Sequence, residues 1–139
     1  MAIISYPATI KPEPEGGFIV QFIDLDEAFT EGETLEEALF NAAEVLTLTL
    51  DGRMDEGQDI PAPSQSREAV YLVSPDAKTQ AALLLRQARG NRTLADLARA
   101  LETSWPQVQR LEDPHHWPSL KTLDRAARVL GKRLVLSLE

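Results

Sequence analysis

Asp24, Asp26 and Glu27 fall within four consecutive positions, a density of carboxylates that suits a divalent cation or a paired acid and base. A residual Mg²⁺-dependent nuclease using Asp24 and Asp26 is therefore one reading. No histidine, lysine or further carboxylate stands at another expected strand end to complete such a site, so the cluster reads better as a binding surface. With Phe22, Phe29 and Glu31 around it, it forms an acidic, aromatic-edged face suited to a basic protein. The two histidines, His115 and His116, are adjacent and poorly placed to chelate one metal together, so no metal site or cofactor is expected. In the C-terminal half the useful chemistry is different. Gln107 and Gln109 can pair with adenine, and Arg110 can reach guanine or phosphate. Trp105 can meet a thymine methyl or pack on the sugar backbone. Thr93, Ser104 and Lys121 complete a set suited to duplex DNA, and Arg86, Arg89, Arg92, Arg99, Arg125 and Arg128 are further candidates for phosphate contact.

The chain that must position these groups has 139 residues, 43% of them hydrophobic, enough for one ordinary domain or two small ones. Cysteine is absent, which excludes disulfide frameworks, thiolate zinc sites and a cysteine nucleophile. No apolar run reaches the length of a bilayer span, and no basic-then-apolar leader opens the sequence, so the expected compartment is the cytoplasm. The net charge of −8 conceals an asymmetry. Residues 1–75 hold three basic against fifteen acidic residues (net −12), whereas residues 76–139 hold eleven against seven (net +4). The first half should repel nucleic acid and attract basic partners; the second can approach phosphate.

Residues 2–10 and 17–23 read as strands joined by the turn chemistry of Lys11-Pro12-Glu13-Pro14-Glu15-Gly16-Gly17, with a short third strand at 28–30. Thr34-Leu35-Glu36-Glu37 is a capping box, and apolar positions 35, 38, 39, 42, 46 and 50 then trace one buried helical stripe. The Gly-, Pro- and Ser-containing stretch from Asp51 to Ser66 reads as a linker, followed by a closing strand over 67–73. The expected fold is α+β: a small antiparallel sheet with one covering helix, domain 1–66 plus its closing strand.

Residues 74–139 form the second expected domain. Ser74-Pro75-Asp76 reads as a helix start, with Ser74 at the N-cap, and Gly90 as its stop. Thr93 and Ser104 open two short helices about three residues apart, the spacing of a helix-turn-helix. Pro118-Ser119 opens a fourth helix with Leu120, Leu123, Ala127 and Leu130 inward and Trp117 packed behind it. Lys132–Leu138 closes the all-α domain as a terminal β-strand. That strand is a candidate element of a homodimer or higher even oligomer, since pairing with a two-fold mate removes an open edge.

The segments Tyr6-Pro7-Ala8, Glu15-Gly16-Gly17-Phe18, Phe22-Ile23-Asp24-Leu25, Thr30-Glu31-Gly32-Glu33-Thr34-Leu35-Glu36-Glu37-Ala38 and Ile60-Pro61-Ala62-Pro63-Ser64 resemble the N-terminal domain of HicB antitoxins. Asp26-Glu27-Ala28 departs from the Pro-Gly-Cys-type turn of many relatives. Residues 78–131, through Thr93–Ala98, Ser104–Glu112, Pro118–Leu123 and Ala127–Gly131, resemble the Cro/repressor-type helix-turn-helix. Leu94 replaces the usual phosphate-contacting glutamine, and Glu102 replaces the usual turn glycine. The resemblance implies a partial RNase H fold without its catalytic carboxylates. It further implies a non-enzymatic protein that occludes a small basic HicA-type mRNA-cleaving toxin and represses its own operon by binding operator DNA. The alternative is a helix-turn-helix regulator whose N-terminal domain senses a small molecule.

Overall fold

A computed structural model describes residues 4–65 and 70–138. The chain divides into two compact units, one through Thr79 and the other from Gln80.

In the first unit, β1 (Tyr6–Pro12) and β2 (Phe18–Phe22) form an antiparallel hairpin, with Ala8 opposite Phe22 and Ile10 opposite Val20. Gly16 and Gly17 close its turn at φ 104° and 83°, a region that side chains disfavour and glycine enters freely. β3 (Phe29–Gly32) adds beside β2, and β4 (Tyr71–Val73) beside β1, giving the antiparallel order β3-β2-β1-β4. The first strand lies further along the chain than the expected 2–10, because its register is set by pairing with both neighbours. Ala2 and Ile3 lie outside the described residues. So do residues 67–69 of the expected closing strand, of which 71–73 form β4.

α1 (Leu35–Asp55) begins where Thr34 accepts a hydrogen bond from the Glu37 N–H. It packs on β2, β3 and β4, and Ala38, Ala42, Leu46 and Leu50 of its expected stripe are fully buried. Leu39 is half-buried, and Leu35, the first residue of the helix, is 38% exposed instead of buried, because the stripe starts beyond the sheet there. The same core takes Tyr6, Ala8, Val20, Phe22, Leu25 and Ala28. Gly32 marks the closest approach of sheet and helix: a Cβ there would fall 2.4 Å from the Ala38 nitrogen.

The expected linker from Asp51 is corrected at its start, since 51–55 is the last turn and a half of α1. Asp51 is buried and accepts from the Thr79 hydroxyl at 2.6 Å, while the Lys78 ammonium lies 3.4 Å from its other oxygen. Those partners open α2 (Ala77–Arg89). The cap of α2 is Asp76, whose carboxylate accepts from the Thr79 N–H at 3.1 Å. Ser74 instead bonds the Ser5 hydroxyl at 2.7 Å, so the expected Ser74 cap is two residues early.

The second unit adds α3 (Leu94–Leu101), α4 (Trp105–Leu111) and α5 (Leu120–Val129). Leu85, Leu97, Ala98, Leu101, Val108, Leu111, Ala126 and Leu130 form one core. Thr93 and Asp96 make a complete capping box, and Ser104 and Ser119 cap α4 and α5. Trp117, expected to pack behind α5, is 64% exposed, and Leu120, expected to face inward, is 61% exposed. Leu120 is the first residue of α5, where the helical stripe runs out beyond the core. Lys132–Leu138 is not a strand, because among the described residues of this unit no strand lies alongside to pair with it.

Glu102 ends α3 in the left-handed region, φ 55°, ψ 45°. The Thr103 N–H bonds the Ala98 carbonyl at 3.0 Å, the long bond of a Schellman turn. Holding a Cβ in this conformation costs roughly 1–2 kcal/mol. Glu102→Gly is therefore expected to stabilise the second unit by about 1 kcal/mol, after glycine's greater unfolded-state freedom is subtracted. A rise in the urea midpoint of that unit's transition checks it; an unchanged or lower midpoint contradicts it.

Candidate functional site

In the second unit two short helices, α3 and α4, share one buried seam. Leu97, Ala98 and Leu101 of α3 face Val108 and Leu111 of α4 within the core, and Glu102-Thr103-Ser104 makes the turn. What α4 does not bury it presents: Trp105 is 47% exposed, and Gln107, Gln109 and Arg110 are exposed with it. Lys121 is exposed in the first turn of α5. The Thr93 and Ser104 oxygens accept cap bonds from the Asp96 and Gln107 N–H groups. The Thr93 hydroxyl also donates to the Asp96 carboxylate and helps hold it below its ordinary pKa, whereas the cap bond leaves the Ser104 hydroxyl hydrogen for an outside acceptor. The structure therefore places all seven expected residues on the exposed surface of this unit.

Several expected phosphate ligands have other duties. Arg89 forks onto Glu112 at 2.6 and 3.0 Å and bonds the Arg92 carbonyl, fastening α2 to the end of α4; this holds the guanidinium above its already high pKa. Arg92 reaches the Leu130 carbonyl, and Arg125 the Leu101 carbonyl at 2.7 Å. Arg99 pairs with Asp96 and Arg128 with Asp124. Among the described residues, Arg86, Arg110 and Lys121 make no ion pair.

The acidic cluster lies where β2 leads into β3. Phe22 is 1% exposed and belongs to the core, so it is withdrawn as a contact residue: it stands opposite Ala8, two positions from buried Val20 on the helix-covered face. Phe29 is 62% exposed, and Glu31 and Asp26 are exposed. Asp24 accepts from the Ser64 N–H at 3.0 Å. Glu27 receives both arms of Arg53 at 2.8 Å, and Arg53 also bonds the Asp59 carbonyl. The hydrogen bonds from Arg53 lower the Glu27 carboxyl to about 2. Glu27 thus favours the folded state above the ordinary carboxylate range, a contribution lost as the pH falls toward 2; its exposure makes the effect small. Among the described residues, no three side chains of the His, Asp or Glu type gather at one metal-sized position.

Two features escaped sequence reasoning. The polar cluster of Asp51, Asp76, Lys78 and Thr79 joins residues 25 or more apart, and no local pattern announces it. The solvent side of α1 carries two large apolar residues, Phe40 and Leu48, 65% and 70% exposed. These were legible as the apolar positions that fall off the buried stripe.

The family model described as HicB-like antitoxin of bacterial toxin–antitoxin system matches residues 5–81. The chain is also similar to Antitoxin HicB of Escherichia coli K12, 33% identical over 133 residues, which covers 94% of this chain and 96% of the relative. Antitoxin HicB 2 of Photorhabdus laumondii is 34% identical over 94% of each chain. Antitoxin HicB of Pseudomonas fluorescens is 30% identical over 99% of this chain and 95% of its own.

Proposed function

The chain belongs to the HicB-like antitoxin family of bacterial toxin–antitoxin systems, and from that premise we propose that it neutralises a small basic HicA-type, mRNA-cleaving toxin by occluding it. The observation that carries this reading is electrostatic. The unit through Thr79 holds sixteen acidic against four basic residues, while Asp24 and Glu27 are committed to Ser64 and Arg53. Such a surface attracts a cationic protein, and its carboxylates serve structure, without a reaction of their own. Asp26, Phe29 and Glu31, with Asp24 and Glu27 beside them, are proposed contacts. Size-exclusion with light scattering, on this protein co-expressed with the small basic protein encoded beside it, tests the reading. Co-elution with relief of growth arrest is the expected result; separate elution of two folded proteins overturns it.

The second unit is proposed to bind operator DNA and so to repress the operon in the cytoplasm. α4 would lie in the major groove with Trp105, Gln107, Gln109 and Arg110 toward the bases, and Thr93, Ser104 and Lys121 toward phosphate. A homodimer or higher even oligomer would place two such helices in successive grooves, about ten base pairs apart or a multiple of that. Residues 132–138 are its proposed seam, since Val135, Leu136 and Leu138 are 78%, 66% and 103% exposed and a two-fold copy can supply the strand that this chain lacks. An unchanged mass in light scattering after their deletion would contradict the seam. Gln107→Ala with Gln109→Ala is expected to weaken operator binding by about 1–3 kcal/mol for each bidentate base pairing removed. Lys121→Ala should weaken all sequences alike and reduce the salt slope by about 1. Filter binding across a salt series separates the two.

A further inference from the structure

α1 has a second side. Its buried stripe lies against the sheet, and on the opposite side stand Phe40 and Leu48, 65% and 70% exposed. They are eight residues apart, a separation of about 12 Å along the axis. Glu44 sits between them, four residues from each, and Glu37 and Asp55 continue the same strip at either end. All three acids are exposed. Thr47 and Asp51 on the neighbouring flank of the helix are taken by the Asp76 N–H and the Thr79 hydroxyl. On the other flank, Asn41 bonds the Glu31 carbonyl at 2.8 Å. Between these flanks Phe40, Glu44 and Leu48 stay exposed among the described residues of the first unit.

Single exposed apolar residues are ordinary. Two large ones at helix-anchor spacing, interleaved with carboxylates, are a recognition pattern. Leu48 also borders the open groove that Glu27, Glu56 and Arg53 line, so the strip is continuous with the acidic loop already proposed to meet the toxin. Arg53 is the one cation on α1, and Glu27 neutralises it. The occupant must therefore bring apolar side chains within a positive surround. We propose that this outer strip of α1, centred on Phe40, Glu44 and Leu48, is the main docking surface for the basic toxin, with the Glu27 loop at its margin. The inference rests on the antitoxin reading and locates its energy: the two apolar anchors hold the complex, and the acids set its orientation and speed of association.

The test measures affinity for the co-encoded toxin, by calorimetry, with four forms of the full-length protein. These are wild type, Phe40→Ser with Leu48→Ser, Glu44→Lys, and Leu72→Ser on β4, where Leu72 is 70% exposed. Because Phe40, Glu44 and Leu48 are exposed, melting by circular dichroism should stay at the wild-type temperature. The double variant and Glu44→Lys are expected to bind at least about tenfold more weakly, in the range of interface anchors, and Leu72→Ser to bind as wild type does. Wild-type affinity in both α1 variants, or a loss confined to Leu72→Ser, overturns the assignment and leaves the antitoxin reading intact. A changed mass of the free double variant in light scattering would mark the strip as a contact between copies of this chain, and would overturn it too. No binding by wild type would end both readings.

Discussion

Gly32→Ala is expected to destabilise the first unit by about 3 kcal/mol, the upper end of what overpacking usually costs. The new methyl would meet the Ala38 nitrogen at 2.4 Å, the Ala38 Cα at 2.7 Å and the Glu37 carbonyl carbon at 2.9 Å. All three atoms are backbone, so no side chain can rotate aside to make room. α1 cannot simply withdraw either. Thr34 holds the Glu37 N–H at 3.1 Å, and Asn41 holds the Glu31 carbonyl. Ala38 itself is 0% exposed, in the middle of the core. Urea unfolding read on the first unit's transition measures the loss. A change under about 0.5 kcal/mol, the scatter of surface substitutions, would show that the start of α1 can slide off β3. Since Phe40 lies two residues beyond Ala38, a displaced helix would also move the proposed docking strip.

The second large effect is expected at Asp51. Removing its carboxylate in Asp51→Ala takes from the buried Thr79 hydroxyl its acceptor at 2.6 Å, leaving it only the Asp76 carboxylate, and takes one of two counter-charges from Lys78. Orphaned buried donors cost about 1–3 kcal/mol and broken buried ion pairs about 3–5. Lys78 keeps Asp76 at 3.2 Å, which places the expected loss near 3 kcal/mol. The partner control is decisive in its direction. Asp51→Leu with Thr79→Val removes both ends of the bond, so it should be less damaging than Asp51→Ala alone, because nothing polar is left buried and unpaired. If the double variant is the worse of the two, the hydrogen bond is not what fastens residues 76–79 to α1. The same cluster implies that a fragment ending at Val73 will be less stable than one ending after Thr79. Burial would raise the Asp76 carboxyl, but the Thr79 N–H and Lys78 outweigh it and hold it below its ordinary value. Its contribution is thus present above the ordinary carboxylate range and fades as acid is added.

Much of this architecture is written locally. The Thr34, Thr93, Ser104 and Ser119 caps were readable because a cap needs only its own residue and the one three positions on. The stripe from Ala38 to Leu50 was readable because a helix repeats. What failed depends on something distant. Asp51-Gly52 and Asp55-Glu56-Gly57 have the composition of a turn, and only the return of Thr79 across the helix makes Asp51 a buried acceptor. Asp76 outcompetes Ser74 as a cap because Ser5, far off in sequence, engages the serine. Residues 132–138 alternate as a strand should, yet a strand needs a neighbour, and among the described residues of its unit none is at hand. The burial of Phe22 was legible: Phe18, Val20 and Phe22 share one face by the two-residue period, and that face is the one α1 covers. In the candidate site, the exposed residues of α4 followed from its two buried ones. The Arg89–Glu112 and Arg125–Leu101 bonds, which remove two cations from the expected phosphate surface, could not be seen without the fold.

Of the seven residues of α4, only Val108 and Leu111 are buried; the other five owe little to the stability of the domain. Under the proposed function four of those five, Trp105, Gln107, Gln109 and Arg110, are the ones that meet the bases. A lineage can therefore rewrite them with little penalty in folding, so long as Ser104 still starts the helix and Arg89 still anchors its end through Glu112. Duplicated copies of such a gene within one genome would separate first in what they recognise and last in what they look like. Cross-talk between sister operons would then be removed by drift in a handful of codons, with no redesign of the scaffold.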